Sequence, residues 1–290
     1  MLKFREIDYK KDIPAVVQLI NEGLDDTFTE SFFRWKHVQN PFGKSFGFLI
    51  EDDGSIVGLR MFMFWKFKKS KEYKTAIRPV DTVVDKRYRG KGLFKKMNLV
   101  GIEMCKGKYD VIFNTPNHNS LPGNLKMGWN ILEDSPKVKM GLLNPFSKKK
   151  EIEKIEKGSF NLKRNYESSS LMWQTNKTGE FLKWRYEDKK YILVQYADSF
   201  MIFSLKKIKG LKTIIIYELL GDSKQFQTMI NATAKREKSF FIYFVDNKEF
   251  ERVNCIASTV RKNANVVFKS DSGNIQKNIN FSLGDLESKL

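Results

Sequence analysis

Residues Val80 to Gly101 read VDTVVDKRYRGKGLFKKMNLVG, and the fold follows from how this stretch is parsed. An apolar run, Val80 to Val84, is interrupted by Asp81 and Thr82. It turns through Asp85-Lys86-Arg87-Tyr88 into Arg89-Gly90-Lys91-Gly92. Leu93, Met97, Val100 and Met104 then recur at helical spacing. The stretch reads as strand, glycine loop, helix. A helix start carries unpaired N–H groups and the positive end of the dipole, and Gly90 and Gly92 hold no side chain over those donors. The expected product is an anion cradle for a phosphate or pyrophosphate. It is not a Walker loop: Asp85 stands where the first glycine should be, and neither Ser nor Thr follows Lys91. It is not a dinucleotide loop either, because the third glycine position falls on Lys95.

Outward from the loop, the elements alternate. Leu2 to Ile7 reads as a strand. Asp12, with Pro14 in the first turn, opens a helix lined by Ile13, Val16, Val17 and Ile20. A second helix covers Glu30 to Val38 and is broken by Asn40-Pro41-Phe42-Gly43. Strands at Phe46 to Ile50 and Ile56 to Phe67 flank the turn Asp52-Asp53-Gly54. A strand at Lys74 to Val84 reaches the glycine loop. After the helix from Leu93 to Lys106, Val111-Ile112-Phe113 is a short buried strand.

This order, with Arg87-Tyr88-Arg89-Gly90-Lys91-Gly92 directly after a strand, resembles the GNAT acetyltransferase superfamily over residues 1 to about 145. Its acyl-CoA loop reads Gln or Arg, two residues, Gly, one residue, Gly or Ala. A second motif agrees: in Asn114 to Trp129, NTPNHNSLPGNLKMGW, a strand ends in Asn and a short helix runs into Lys126-Met127-Gly128-Trp129. Asn119 or Ser120 is the expected cap of that helix. The wording is similar to GNAT proteins of surface-polysaccharide pathways. The resemblance implies a GNAT-like mixed α/β sheet flanked by helices, acetyl-CoA as acyl donor, no metal, and an amine acceptor on a small molecule, with an amino sugar as first choice. It places pantetheine on the backbone of Val83 and Val84. Pyrophosphate falls on the amides from Arg89 through Gly90, Lys91, Gly92 and Leu93 to Phe94, with charge from Arg87, Arg89 and Lys91, and Asn117 is a further CoA contact. Asp81 and His118 are the candidate proton acceptors. Asp81 would have its pKa raised by burial, and His118 is a side chain suited to neutral pH. The family's frequent Tyr, donor to the leaving thiolate, aligns with Asn124, which cannot act as an acid; Tyr88 is one substitute.

The second half echoes the first. Phe181-Leu182-Lys183-Trp184-Arg185-Tyr186 parallels Phe32-Phe33-Arg34-Trp35-Lys36, and each is followed by a strand pair, a third strand, a helix and a strand. No glycine loop stands before the second copy's helix, only Gly221-Asp222-Ser223-Lys224. A tandem arrangement is expected: a GNAT-like acyl-CoA domain at 1–145, a charged linker at 146–158, and a degenerate GNAT-like domain at 159–290 that is structural or shapes the acceptor pocket.

Composition sets the limits. The formal net charge is +18 and two cysteines are present. Cys105 and Cys255 have no metal or redox spacing. The charge comes from dispersed lysines, so no DNA interface is expected. No apolar run is long enough to cross a membrane, and MLKFREIDYKKD lacks a signal-peptide core; the chain is expected to be cytoplasmic. Two other readings stay open: a Fem-like transferase using aminoacyl-tRNA, and a non-catalytic acyl-CoA-binding or scaffold protein.

Overall fold

The computed structural model describes residues 1–24, 27–147, 153–155, 171–188, 190–269, 275 and 278–286. In chain order the elements are β1 (Lys3–Glu6), α1 (Ile13–Leu24), α2 (Glu30–His37), β2 (Phe46–Asp52), β3 (Ser55–Lys69), β4 (Glu72–Val84), α3 (Leu93–Met104), β5 (Val111–Asn114), α4 (Leu121–Lys126) and β6 (Trp129–Ile131). They continue with β7 (Lys137–Leu142), β8 (Glu153–Ile155), β9 (Gln174–Thr175), α5 (Gly179–Tyr186), β10 (Ile192–Tyr196), β11 (Ser199–Ile208), β12 (Leu211–Leu220), α6 (Ser223–Arg236), β13 (Phe241–Asp246), β14 (Ala257–Asn263), β15 (Val267–Lys269) and α7 (Leu283–Leu286). The fold is a GNAT-like mixed α/β architecture, built as two compact units.

The first unit holds residues 1–68, 72–131 and 267–276. Its sheet runs β1-β2-β3-β4-β5-β15-β6. The β2–β3 hairpin closes through Asp53 (φ 46°) and Gly54 (φ 77°), the double positive φ of a turn whose twist suits a two-residue hairpin. One face of the sheet is covered by α1 and α2, where Ile13, Val16, Ile20 and Phe33 pack on Leu49, Leu59, Met61 and Val83. The other face carries α3, with Leu93 and Met97 among Phe46, Phe62, Ile77 and Ile112. The α3 backbone comes in close at Gly101, where an added Cβ would lie 2.4 Å from the Phe62 ring.

The second unit holds 69–71, 132–266 and 277–290. Its sheet runs β14-β7-β13-β12-β11-β10-β8. Phe203, Ile214, Ile216 and Ile242 pack against Phe226, Met229 and Ile230 of α6. Element order repeats between the units: α2-β2-β3-β4-α3-β5 is followed by α5-β10-β11-β12-α6-β13. The parallel reaches the caps, since Thr29 accepts from Phe32 N and Thr178 from Phe181 N. Across α3, β5 is parallel to β4, and across α6, β13 is parallel to β12. The two sheets are consistent with a tandem arrangement. The units divide after Ile131, not near residue 145, and each takes a strand from beyond its own half. β7 joins the second sheet beside β13, and β15 inserts between β5 and β6 of the first. Of the charged run Lys148 to Lys157, only β8 falls within the described residues, paired antiparallel with β10.

Candidate functional site

The site is built where β4 leaves β5. The two strands are parallel but pair only at Ala76↔Val111 and Ile77↔Ile112, although β4 continues to Val84. Beyond that point buried Arg78 reaches across to the Thr115 hydroxyl. At Asp81 the backbone takes φ 44°, a left-handed conformation uncommon for a non-glycine residue and characteristic of irregular strand positions. Val80 and Asp81 consequently both face the α1–α2 layer. Val80 packs on the α1 core, and Asp81 meets α2.

Beyond Asp81, Thr82, Val83 and Val84 form one wall of a cavity of about 410 Å³. Leu93 and Phe94 at the start of α3 form another, Gly23 and Leu24 of α1 close a side, and Tyr88, Arg89, Gly90 and Gly92 form the mouth. Gly90 and Gly92 have φ 76° and 71°, and a Cβ at either would meet nothing within 4 Å. Their left-handed conformation is what glycine allows at no cost, and it lays the loop open over the helix start. Gly92 is the N-cap of α3 and supplies no capping side chain, so the first-turn amides of the helix have no side chain of their own to satisfy them. The corresponding turn of the second unit is closed. A Cβ on Gly221 would lie 2.4 Å from Asp198 O, and Asp222 caps α6 by accepting from Lys224 N.

The glycine loop and the Val83–Val84 strand end thus come together as the sequence led one to expect; the charges around them are arranged differently. Arg87 donates from Nε and Nη2 to Asp85, at 3.1 and 2.7 Å. Arg89 donates to Val84 O at 3.2 Å and Gly23 O at 3.0 Å, tying the last turn of α1 to the end of β4. Neither guanidinium is a free cation at the mouth. Lys91 stands over the Tyr88 ring, 4.9 Å from its centroid. The Tyr88 hydroxyl donates to Asp52 at 2.8 Å, which, with Asp52 negative, raises its pKa; this does not favour Tyr88 as an acid.

Asp81 also differs from expectation. Burial pushes its pKa up, but Lys36 and His37 outweigh burial and hold it well below the usual carboxylate range. Lys36 Nζ lies 2.9 Å from Oδ1 and 2.8 Å from Oδ2, and His37 Nε2 lies 2.8 Å from Oδ2. Burial lowers the pKa of His37, against the raising effect of Asp81. In its neutral form, Nε2–H donates to Asp81 and Nδ1 accepts from Ser45 Oγ at 3.0 Å. Sequence reading missed Lys36 and His37; the signal available was two basic residues inside an otherwise aromatic helix, Phe32-Phe33-Arg34-Trp35-Lys36-His37.

The other predicted residues sit on the loop after β5. His118 is exposed and makes no hydrogen bond among the described residues. Asn117 is exposed, and its Oδ1 accepts from Asn119 N, Ser120 N and Ser120 Oγ. Asn117 therefore satisfies the start of α4, in place of the expected Asn119 or Ser120 side chain. Asn124 is buried, its Nδ2 donates to Ser120 O at 2.8 Å, and its Oδ1 has no partner among the described residues. A Cβ on Gly123 would lie 3.5 Å from the Phe94 ring, which sets α4 beside the cavity wall. Among the described residues no three His, Cys, Asp or Glu side chains gather as a metal site.

Gly23 offers a direct check on the cavity wall. A Cβ there would fall 2.1 Å from Val83 Cγ2, so Gly23→Ala must displace α1 or β4. The expected loss is about 1–3 kcal/mol, read as a lower urea midpoint, although alanine is the better helix former.

The sequence matches no protein-family model and no curated protein. Solved structures share the fold. A conserved protein of unknown function from Enterococcus faecalis superposes with TM-score 0.73 at 11% identity, covering 92% of this chain and 72% of its own. GCN5-related N-acetyltransferases from Anabaena variabilis (TM-score 0.71, 10% identity, 92% and 72% covered) and Kribbella flavida (0.68, 12%, 92% and 70%) are similar. At these identities the likeness is one of fold.

Proposed function

We propose that the chain is an acyl-CoA-dependent N-acyltransferase, with acetyl-CoA as donor and a small-molecule amine, an amino sugar first among candidates, as acceptor. The observation that carries this is the open cradle: two left-handed glycines with free space over them, before an uncapped helix start, at the mouth of a cavity walled by Thr82, Val83 and Val84. The first-turn amides of α3 would hold the pyrophosphate and Lys91 would add charge. The β4 backbone at Val83 and Val84, unpaired on the side where β5 diverges, would hold pantetheine. The amine attacks the thioester carbonyl carbon directly. Asp81, ionised and already engaged by two bases, suits holding and orienting groups better than taking a proton. His118, exposed on the loop before α4, is the better candidate for that step.

The test is calorimetric titration of acetyl-CoA into the wild type and a Gly90→Glu, Gly92→Glu double variant. Each glutamate at positive φ costs about 1–2 kcal/mol but meets open space, so the variant is expected to fold. It is also expected to lose at least about tenfold in affinity, because a carboxylate opposes an anion at a helix start. A wild type that binds no acetyl-CoA would sink this reading.

A further inference from the structure

Arg60 lies in the middle of β3, within Gly58-Leu59-Arg60-Met61-Phe62, with 4% of its surface exposed. Among the described residues no carboxylate pairs with it. Nη2 donates to Asn98 Oδ1 at 2.6 Å, Nη1 donates to the Thr82 hydroxyl, and Nε is buried with no partner among the described residues. Its planar head lies 5.5 Å from the Phe62 ring centroid and 5.8 Å from that of Phe94. Burial lowers its pKa to about 9, with Asp81 opposing, so it stays charged at neutral pH.

Thr82 and Phe94 both line the cavity, so this cation sits directly behind the wall. The charges around it do not cancel. Lys36 and the neutral His37 on α2 face Asp81 on β4, and α3 contributes only Asn98 and Phe94. One carboxylate thus answers two permanent cations. A buried excess of positive charge is costly unless an anion joins it.

The Thr82 hydroxyl accepts from Arg60 and has no other partner among the described residues. Its proton is therefore available to the cavity, polarised by a cation behind the oxygen. This donor stands on β4 beside Asp81, at the opposite end of Thr82-Val83-Val84 from the glycine mouth. Asn124, at the other position where a proton donor would be sought, spends its amide on Ser120 O.

We propose that the Thr82 hydroxyl, held by Arg60, donates a hydrogen bond to the sulfur that leaves the acyl-CoA, and that the buried charge of Arg60 stabilises that sulfur as a thiolate. This rests on the acyl-CoA reading above. In the step, the amine nitrogen bonds to the carbonyl carbon and the carbon–sulfur bond breaks. The sulfur keeps the electron pair, the amine proton goes to a base or water, and Thr82 retains its own proton. The site thereby replaces proton donation by charge stabilisation. Thr82 is the group in contact; Arg60 is a positioning residue.

The experiment is an ultraviolet titration of the thiol of CoA bound to the full chain, with desulfo-CoA binding measured beside it. Wild type is expected to lower the thiol pKa of bound CoA by about one unit or more relative to free CoA, a tenfold gain in thiolate at fixed pH. Thr82→Val and Arg60→Met are expected to abolish most of that shift, and Thr82→Ser to keep it. Desulfo-CoA, which lacks the sulfur, gives the baseline affinity of each protein, and thiol pKa values are compared at saturating CoA. If wild type and Thr82→Val bind CoA with the same thiol pKa, the proposal is overturned and the acyl-CoA reading stands. If wild type binds neither CoA nor desulfo-CoA, that reading falls and takes the proposal with it.

Discussion

Replacing Asp81 with asparagine is expected to destabilise the protein by about 3–5 kcal/mol, because it leaves the buried Lys36 ammonium without its counter-charge. The side chains are nearly isosteric, so loss of packing does not account for such an effect. A double variant carrying Lys36→Met as well should recover a large part of the loss in urea unfolding. If the two substitutions simply add, the pair is not coupled. The same network predicts an acid response in two stages. His37 has a depressed pKa in the folded state, so its contribution is present above the unfolded value of about 6.5 and is lost as pH falls below it, when only the unfolded chain takes the proton. Asp81 is depressed too, and its contribution is lost below about pH 4. The stability difference between wild type and His37→Gln should therefore shrink between pH 7 and pH 5. A difference constant over that range would show that His37 does not stay neutral when buried.

In the second unit the largest effect is expected at Lys177. Its Nζ lies 2.5 Å from Glu218 Oε2 and 3.7 Å from Asp285 Oδ2, with Glu218 and Asp285 buried and the Lys177 side chain 13% exposed. Glu218 Oε1 also accepts from the Tyr186 hydroxyl at 2.5 Å and from Ser282 Oγ at 2.9 Å. Burial works to lower the Lys177 pKa, but Asp285 and Glu218 outweigh it and the net shift is upward. Lys177→Met leaves two carboxylates in one buried pocket, at an expected cost of about 3–5 kcal/mol at pH 7. Burial raises the pKa of Glu218, so the variant can relieve the repulsion by taking up a proton. Its deficit against wild type should narrow as pH falls toward 5. Urea midpoints at pH 7.5 and pH 5 test this, and a deficit that widens on acidification would contradict it.

Much of this was legible in the chain because it is local. The strand, glycine loop and helix of Val80 to Gly101 announce themselves by period and by glycine. The Asp53-Gly54 turn follows from the φ it needs, and the Thr caps of α2 and α5 lie three residues before the amides they accept from. The order of elements in each half follows from these signals, and so does the contrast between the open Gly90–Gly92 cradle and the self-capped turn at Asp222.

The rest depends on residues far apart in sequence. Whether Arg87 and Arg89 face a ligand was decided by Asp85 and by two backbone carbonyls. Whether Asp81 is raised or lowered was decided by α2, more than forty residues upstream. Pattern reading gives burial, and burial alone points upward; the opposing charges exist only once α2 packs on β4. Arg60 reads as an anomaly in an apolar strand, and only the packing of α3 places it behind Thr82. Short strands such as β7 and β15 carry too little periodicity to name their sheet, so the exchange that moves the boundary from 145 to Ile131 was left to long-range pairing. Sequence by itself determined the elements, their order and the glycine loop, since backbone conformation and hydrophobic period are local properties. Tertiary structure decided every charge state at the site, because electrostatic interaction depends on distance in space.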